Sequence, residues 1–513
     1  MAFLTEAANR GSIATGYNID NSCMFDWNGT NTAGNGQSYM YDTSWTGTPT
    51  STTTGCFSTW FKNSLSNSTN SLGVASFVNN YSDGNNRSYI MGDWGSGGNF
   101  VFGQKVSGSW NFRVVSNALY RDPAAHYHFF AVWDTSNSTE SERIRLYVNG
   151  ERITSLSDQI YPSQNQECYI VSKEDFSVGR AYSSVYGNFT HGYMAETHFV
   201  DGTAYAPTDF GEFDEDSGIW KPKQVSVSYG NKGFYLDYKD ASNLGNDASG
   251  NNRDLTLSDI NSTNQATDTP TNNFCTLNPI HVYSPAALPT ISNGGTKLTT
   301  TYQAWWTTAV ANMAITSGKW YFEARSATSS THLSAIGYGD EADIENWGID
   351  RNANRQCHVG RTHSGGVQTK SYAYIGSDTE GASYGRIFPN GTSPSTRVNY
   401  IYTDVIGVAI DADNGYAYWH KNGTYINSGN PTSGSSGTGG YAVPSGTGTN
   451  GTLIPAVGAY WHISIGVMEV NFGGYTEMSI SSAASDANGY GTFEYAPPTG
   501  YYALCTKNLA EYG

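Results

Sequence analysis

The stretch HFFAVWDTSNSTESERIRLYVNGERI, residues 128–153, decides the fold class. Its first part, HFFAVWD, carries apolar side chains on both faces of an extended strand, and its second part, RIRLYV, alternates apolar with polar side chains. Asn149-Gly150 comes next, a pair that suits a type I′ turn because both positions need a positive φ. Two such strands, joined by a polar loop and ended by a tight turn, predict antiparallel sheet.

The second half of the chain repeats this plan. DVIGVAID, residues 404–411, places Ile406, Val408 and Ile410 on one face of a strand. Asn414-Gly415 leads into YAYWHK, and Asn422-Gly423 leads out of it. Amphipathic helical runs are nearly absent. We therefore predict an all-β protein made of two antiparallel β-sandwiches of related topology.

Length and composition limit the possible functions. The chain has 513 residues, enough for two domains, and only 14% of them are charged while 14% are aromatic. The net charge of −17 argues against nucleic acid as a partner, since binding it calls for a basic patch. No apolar run approaches the roughly 18 residues of a membrane span, so we expect no membrane insertion.

The six cysteines lie far apart and contain no CxxC pair. This spacing matches neither a zinc site nor a small disulfide framework, so we expect free thiols in a protein folded in a reducing cytoplasm. The first residues, MAFLTEAANRG, lack the basic and apolar regions of a secretory signal. Together these features suit a protein that assembles inside a cell and leaves when the cell lyses.

Turn-forming residues divide the chain. Residues 230–290 are rich in Asn, Asp, Gly and Pro, which predicts a turn-rich connector between one sandwich at 1–229 and another at 291–513. A second polar segment, NPTSGSSGTGGYAVPSGTGTNGT at 430–452, predicts a mobile surface loop within the second sandwich.

Six motifs in the first half resemble the laminin-G/concanavalin-like jelly rolls of tailed-phage structural proteins. The resemblance covers about residues 20–201 and rests on NSCMFD (21–26), GCFSTWFK (55–62), HFFAVWD, RIRLYVNGERI, FSVGR (176–180) and YMAETHFVDG (193–202). Residues 318–509 resemble a SPRY domain, through SGKWYFEAR (317–325), AIGYGD (335–340), residues 404–423, LIPAVGAY (453–460), VNFGG (470–474) and PPTGYYALCTKNL (497–509). The expected fold is thus two concanavalin-like jelly rolls, the second of the SPRY type.

This resemblance implies a surface protein of a bacteriophage virion, assembled in the host cytoplasm. It would be a tail fibre, spike or head fibre that binds a host-surface glycan or protein for adsorption, without being an enzyme. Its partners would be other virion proteins, and a homo-oligomer, most plausibly a trimer, is expected by analogy with phage fibres. The alternatives are a capsid or tail decoration protein without a receptor role, a virion-associated glycan depolymerase, and an intracellular SPRY interaction module.

Two acidic segments are candidates for chemistry. Glu212, Asp214 and Asp216 approximate the alternating carboxylates of jelly-roll glycosidases, where one acid is the nucleophile and another the proton donor. A solvated acidic turn is the favoured interpretation of these residues, and we expect no catalysis there.

Asp240, Asp247, Ser249 and Asn251 crowd oxygen atoms into a turn-rich stretch. Such a set could hold Ca²⁺, but a structural turn held by Asx hydrogen bonds is the favoured interpretation, and no other cofactor is expected.

Tryptophans in loops are the candidates for ligand binding, because sugars and peptides stack on exposed rings. Trp94 stands beside Asp93 in a glycine-rich turn, and Trp347 lies near Asp350 in another. By contrast, the tryptophans within alternating strands are expected in the core; these are Trp60, Trp133 and Trp419. His126 and His128 alternate on one strand, but no third ligand or nucleophile is spaced to join them, so we expect core or surface histidines and not a metal site or a triad.

Overall fold

The computed structural model describes most of the chain and confirms the fold class. Strands make up 47% of it and helices 7%, in several antiparallel sheets. The described residues are 16–26, 37–64, 74–93, 98–181, 188–283, 289–300, 306–328, 333–340, 359, 371–377, 385–388, 398–443, 452–460 and 465–513.

Two compact units divide the chain, Gly11–Asn273 and Phe274–Gly513. This division falls within residues 230–290, the stretch predicted to be a connector. Short strands within 230–273 pair with strands of the first unit, and residues 277–283 pair with 306–311 of the second. The turn residues in this stretch separate short strands of the two sandwiches.

The first unit contains twenty described strands and one short helix. The helix is α1 (Tyr169–Ser172). In chain order the strands are β1 (Ser22–Phe25), β2 (Tyr39–Asp42), β3 (Thr54–Asn63), β4 (Val74–Asp83), β5 (Asn86–Asp93), β6 (Asn99–Val106), β7 (Ser109–Leu119), β8 (His126–Asp134), β9 (Ile144–Val148), β10 (Glu151–Arg152), β11 (Leu156–Ile160), β12 (Asp175–Val178), β13 (Arg180–Ala181), β14 (Asn188–Phe189), β15 (Gly192–Asp201), β16 (Gly211–Phe213), β17 (Trp220–Pro222), β18 (Phe234–Leu236), β19 (Thr256–Ser258) and β20 (Gln265–Ala266).

Two eight-stranded sheets form the sandwich of this unit. Sheet A has the order β10-β9-β8-β3-β15-β1-β20, with β18 also paired to β15, and sheet B has the order β11-β7-β6-β5-β4-β12-β2-β19. The pairs β13-β14 and β16-β17 are separate two-stranded sheets. Aromatic side chains fill the space between sheets A and B, for example Phe129 of β8 and Phe77 of β4, whose ring centroids lie 4.9 Å apart. Burial of these apolar faces is the main force that holds the sheets together.

The second unit is built from fifteen described strands and one helix, α2 (Thr506–Tyr512). The strands are β21 (Leu277–Tyr283), β22 (Thr290–Ser292), β23 (Lys297–Thr299), β24 (Trp306–Ala311), β25 (Lys319–Ser326), β26 (Leu333–Asp340), β27 (Tyr372–Ser377), β28 (Arg386–Phe388), β29 (Ile406–Asp411), β30 (Tyr416–Lys421), β31 (Thr424–Tyr425), β32 (Tyr441–Ala442), β33 (Leu453–Tyr460), β34 (Val467–Asn471) and β35 (Tyr502–Ala503).

Its two larger sheets are sheet C, in the order β21-β24-β33-β26-β27-β28, and sheet D, in the order β22-β23-β34-β25-β29-β30-β31. In sheet D, β32 also pairs with β30, and β35 pairs with β25 in parallel. Trp419 lies in the core of this unit, where its Nε1 donates a hydrogen bond to the carbonyl of Ile336, 3.0 Å away. The indole thus fills a large volume without leaving its N–H unsatisfied.

Several local predictions are confirmed. Trp60, Trp133 and Trp419 are 4%, 0% and 0% exposed, as expected for core residues. Asn149 and Gly150 have φ values of 50° and 78°, and Asn422 and Gly423 have 50° and 81°, the conformations that type I′ turns need.

One loop prediction is wrong in part. Of residues 430–452, the stretch Pro431–Ser436 forms a 3₁₀ helix, and Tyr441–Ala442 is strand β32. The Asn430 side chain caps the 3₁₀ helix by accepting a hydrogen bond from the Thr432 backbone N–H. The other 3₁₀ helices described are Glu140–Glu142, Pro207–Asp209, Ser262–Asn264 and Ile426–Ser428.

The cysteines within the described residues are buried, and three of them, Cys23, Cys56 and Cys168, are free thiols. The other two are Cys275 and Cys505, while Cys357 lies outside these residues. Burial raises the pKa of the Cys23, Cys56 and Cys168 thiols well above the usual range, so these thiols stay protonated and unreactive. In the part of the chain that the structure describes, no helix is long and apolar enough to cross a membrane.

Candidate functional site

The predicted ligand-binding tryptophans fall where the structure gives no placement. Trp94, Trp347 and Asp350 lie outside the described residues. Asp93 ends strand β5, but the position of its side chain is likewise outside the description. Ligand binding by these four residues therefore stays a prediction.

The proposed calcium residues form hydrogen-bonded turns. Asp240 is exposed, and its Oδ1 accepts hydrogen bonds from the backbone N–H and the hydroxyl of Ser242, at 2.9 and 2.6 Å. Asp247 accepts from the backbone N–H groups of Tyr235, Ser249 and Arg253 and from the Ser249 hydroxyl, each at 2.9 Å. Both carboxylates thus serve as the acceptors of Asx turns.

Asn251 turns a donor toward the same loop. Its Nδ2 donates hydrogen bonds to the carbonyls of Gly230 and Gly233, at 2.6 and 2.8 Å. Calcium needs oxygen ligands, and those of Asp247 are already engaged by N–H and O–H groups. Among the described residues, no group of three or more His, Cys, Asp or Glu side chains could hold a metal ion. The geometry thus fits the Asx-turn alternative.

The acidic candidates for catalysis lie on the β16-β17 hairpin. Lys221 Nζ is 2.9 Å from Asp214 Oδ2 and 3.6 Å from Glu212 Oε1, and Ser217 donates from its backbone and hydroxyl to Asp214 Oδ1. The hydrogen bond from Lys221 and those from Ser217 hold the pKa of Asp214 far below its ordinary value. A carboxyl held ionised in this way cannot supply the proton that glycoside cleavage needs.

A serine and a histidine come together without forming a nucleophile. Ser58 Oγ lies 2.8 Å from His128 Nε2, and both residues are buried on the outer face of sheet A. Trp220 Nε1 donates to His128 Nδ1 at 3.1 Å, so the imidazole proton is on Nε2 and points at the serine oxygen. An activated serine needs the opposite arrangement, in which the imidazole accepts the hydroxyl proton. The pair is therefore structural.

The outer face of sheet B presents a different kind of surface. Arg113, Gly103, Tyr89 and Asn79 lie side by side across β7, β6, β5 and β4 in the strand register. In the next row Trp110 lies opposite Lys105. Their neighbours along the strands, which include Phe102, Phe112 and Ile90, point into the core, so these residues point outward. We call Tyr89, Gly103, Lys105, Trp110 and Arg113 the aromatic face.

Gly103 determines how the two rings meet. A Cβ atom at this position would lie 3.1 Å from Trp110 Cζ3 and 3.3 Å from Tyr89 Cζ, closer than ordinary packing allows. Without that atom, the rings stand edge to face with centroids 6.0 Å apart. Val101 and Val115, on the same face, are buried in one cluster with both rings and support their position. The arrangement leaves Trp110 half-buried, with part of its ring in contact with solvent.

Three cations surround these rings. Lys105 Nζ lies 4.6 Å and Arg113 Cζ 5.1 Å from the Trp110 ring centroid, while Arg87 Cζ lies 6.0 Å from that of Tyr89. Partial burial and the charges of Arg87 and Arg113 lower the pKa of Lys105. The face holds one ion pair to a neighbouring strand, between Arg113 Nη1 and Asp158 Oδ2 at 2.7 Å. In a chain with net charge −17, this concentration of cations favours an anionic group.

Asn79 adds hydrogen-bonding capacity that the protein leaves unused. It is 0% exposed and lies directly opposite Tyr89 in the register. Neither its Oδ1 nor its Nδ2 has a hydrogen-bond partner. A buried amide without partners costs about 1–3 kcal/mol, so such groups are rare outside sites that bind something.

Sequence analysis did not single out this face. Its members come from three strands, and only the register brings them together. The sequence offers one signal, the glycine at position 103 within the otherwise bulky strand NFVFGQKV, since an isolated glycine in a strand marks a close approach.

Comparison with known proteins identifies one region by family. A model of the SPRY domain family matches residues 319–474, within the second unit, which confirms the predicted SPRY domain for these residues. No curated protein matches the chain.

Solved structures resemble parts of the chain at low identity. The SPRY domain of human HERC1 is 15% identical, with 40% of this chain and 99% of that chain covered and a TM-score of 0.25. A putative carbohydrate binding protein from Bacteroides ovatus is 17% identical, with coverage of 47% and 58% and a TM-score of 0.29. The Ruminococcus gnavus IT-sialidase CBM40, bound to α2,3-sialyllactose, is 12% identical, with coverage of 39% and 97% and a TM-score of 0.24. At these scores none of them assigns a ligand to this chain.

Proposed function

We propose that this protein is a surface protein of a bacteriophage particle that binds a host-surface glycan through the aromatic face during adsorption. The observation that carries the glycan part is the Tyr89–Trp110 pair, packed over Gly103 and bordered by cations on an outer sheet face. The virion part, as a tail fibre, spike or head fibre assembled in the host cytoplasm, rests on the resemblance of residues 20–201 to phage jelly rolls.

The chemistry of the aromatic face suits a sugar. The C–H face of a pyranose packs on an aromatic ring, and its hydroxyls accept hydrogen bonds from charged donors. Lys105 and Arg113 flank the Trp110 ring, where a carboxylate, sulfate or phosphate on the sugar would meet two cations. We therefore propose an acidic glycan as the ligand class.

A shallow surface of this kind binds one sugar weakly, because it excludes little water. Useful attachment then needs several copies, whose linkage raises avidity by roughly 10²–10⁴ without any new contact. We propose a homo-oligomer, most plausibly a trimer, held on the particle by other virion proteins.

The depolymerase alternative lacks support from the hairpin geometry. Asp214 is tied to Lys221 and Ser217, and Glu212 is exposed. We propose that the protein is not an enzyme. An adsorption experiment distinguishes a receptor-binding protein from a decoration protein without a receptor role.

Adsorption can be measured with the source virus and its host. Excess purified oligomer is expected to block virus attachment, because it occupies the same surface glycans, and Trp110→Ala oligomer is expected to block it poorly. Phe213→Ala is the matched control, since Phe213 is an aromatic residue of the same unit, 43% exposed, on the β16-β17 hairpin. Attachment that is unchanged by excess folded wild-type oligomer would assign the protein to the decoration class.

A further inference from the structure

A buried lysine contacts both an amide and a carboxylate on the outer face of sheet A. Lys62, in β3, is 1% exposed, and its Nζ lies 2.7 Å from Asp268 Oδ2 and 2.6 Å from Asn273 Oδ1. Asp268 and Asn273 belong to the segment after β20, and Asn273 is the last residue of the first unit. An amine and a carboxylate, both buried, are thus held at hydrogen-bond distance from each other, with a partly buried carboxamide beside the amine.

Two further contacts fix the orientation of these groups. Asn273 Nδ2 donates to the carbonyl of Ala124 at 2.6 Å, so the carboxamide turns its oxygen toward Lys62. His126 Nε2 lies 3.0 Å from the other carboxylate oxygen, Asp268 Oδ1. Burial lowers the pKa of His126, so the imidazole is neutral and donates its Nε2 proton to the carboxylate. The reacting groups therefore need little reorganisation.

Asp268 is the proton acceptor nearest to the Lys62 amine in this cluster. Burial acts to raise the pKa of Asp268, and the charge of Lys62 with the hydrogen bond from His126 more than offsets it. Transfer of one proton across 2.7 Å, from Lys62 to Asp268, converts the ion pair into a neutral amine and a neutral acid. The direct 2.7 Å contact between Lys62 Nζ and Asp268 Oδ2 gives the proton a path, so Asp268 is placed to act as the base.

We propose that Lys62 and Asn273 join in an intramolecular isopeptide bond, with Asp268 as the catalytic residue. Lys62 Nζ attacks Asn273 Cγ after it has lost a proton to Asp268. The new C–N bond forms as the bond from Cγ to Nδ2 breaks, and Asp268 returns the first proton to the departing nitrogen. Asp268 then takes the second proton, which the attacking nitrogen loses as the amide forms, and so ends protonated. One ammonia leaves, the other atoms are retained, and no oxidant or reductant is needed.

The bond would fasten the end of the unit to a central strand of sheet A. It links positions 211 residues apart and closes a covalent loop that contains most of the first unit. Force applied at Asn273 would then be borne by β3 through a covalent bond, so the segment of residues 268–273 could not peel away. Such a clamp suits a protein that must stay folded under mechanical load.

Mass spectrometry of the full-length wild-type protein tests the proposal. We expect an intact mass one ammonia below that of the sequence, and a branched tryptic peptide that joins Lys62 to Asn273. In Asp268→Asn, which keeps both bonded residues but removes the base, the full sequence mass should return. In Lys239→Arg, a change of an exposed lysine in the same unit, the ammonia loss should persist.

The wild-type measurement decides the outcome whether or not the variants fold. A wild-type mass equal to the sequence mass, with linear peptides that contain Lys62 and Asn273, would overturn the proposal. An ammonia loss that maps to another site, or that persists in Asp268→Asn, would overturn it as well.

Discussion

Glu323→Ala is expected to destabilise the second unit by about 4 kcal/mol, because four buried or partly buried donors lose this acceptor at once. Glu323 is 0% exposed, and its carboxylate accepts from the Tyr321 hydroxyl at 2.9 Å and from the backbone N–H groups of Glu494 and Tyr495 at 2.9 and 2.8 Å. The fourth donor is Asn471 Nδ2 at 3.2 Å. Each buried donor left unsatisfied costs about 1–3 kcal/mol.

The carboxylate's own burial reduces this loss. Burial raises the pKa of Glu323 to about 7 in spite of the four donors, so removing the group also removes an unfavourable buried charge. The expected loss of stability therefore lies at the lower end of the sum of the four donor penalties. The hydrogen bond between His420 and Tyr321 also depends on Glu323. His420 Nε2 lies 2.7 Å from the Tyr321 oxygen, and the Tyr321 hydroxyl donates to the Glu323 carboxylate.

Urea denaturation, with hydrogen exchange of peptides from residues 319–326, measures the stability of this unit. Glu477→Ala is the matched control, since Glu477 pairs with Lys297 at 2.8 Å and both side chains are partly exposed. Loss of that surface pair should cost at most about 1 kcal/mol. If Glu323→Ala is no less stable than Glu477→Ala, the four-donor account is wrong.

Acid is expected to unfold the first unit at a pH well above the pKa of ordinary carboxyl groups. Burial lowers the pKa of His128 to about 3, and burial also lowers that of His191 to about 3. The unfolded chain binds protons on these residues below about pH 6.5, while the folded unit does not. The contribution of these two neutral histidines to the free energy of unfolding is therefore fully present above pH 6.5, and it falls as the pH drops toward 3.

By pH 4.5 the loss should reach about 2–3 kcal/mol for each of the two histidines. Hydrogen exchange of peptides from β3 and β8, followed from pH 7.5 to 4.5 after correction for the intrinsic exchange rate, measures it in the full chain. In His128→Gln, which has no titrating group at this position, part of this pH dependence of stability should be lost. A stability of β3 and β8 that is constant over this range would show that the buried histidines are not neutral.

The fold was predictable because its signals are local. Alternation in residues 126–134 and the Asn149-Gly150 pair indicate strand and turn without knowledge of any distant residue, and both are present in the structure. The domain boundary was less predictable. The turn residues of 230–290 look alike whether they link two domains or short strands within each, and only the pairing of β18 and β21 distinguishes these cases.

The candidate site was beyond a reading of local patterns. Tyr89, Lys105 and Trp110 lie on three different strands, β5, β6 and β7. A register shift between Gln104 and Lys105 places Lys105 opposite Trp110. The isopeptide residues are still further apart, since Lys62 and Asp268 meet only through the path of the chain after β20. The acidic partner of His126, Asp268, likewise lies 142 residues away in sequence.

Glycan binding by the aromatic face is tested most directly by calorimetric titration of the full-length protein with matched sugars. Oligogalacturonate and its methyl ester share a ring structure and differ in charge. We expect binding of the acidic form, weakened by salt, and a loss of about tenfold or more in Trp110→Ala, equivalent to about 1.4 kcal/mol, with Phe213→Ala unchanged. Binding of neither sugar, or equal affinity in wild type and Trp110→Ala, would contradict the proposed site.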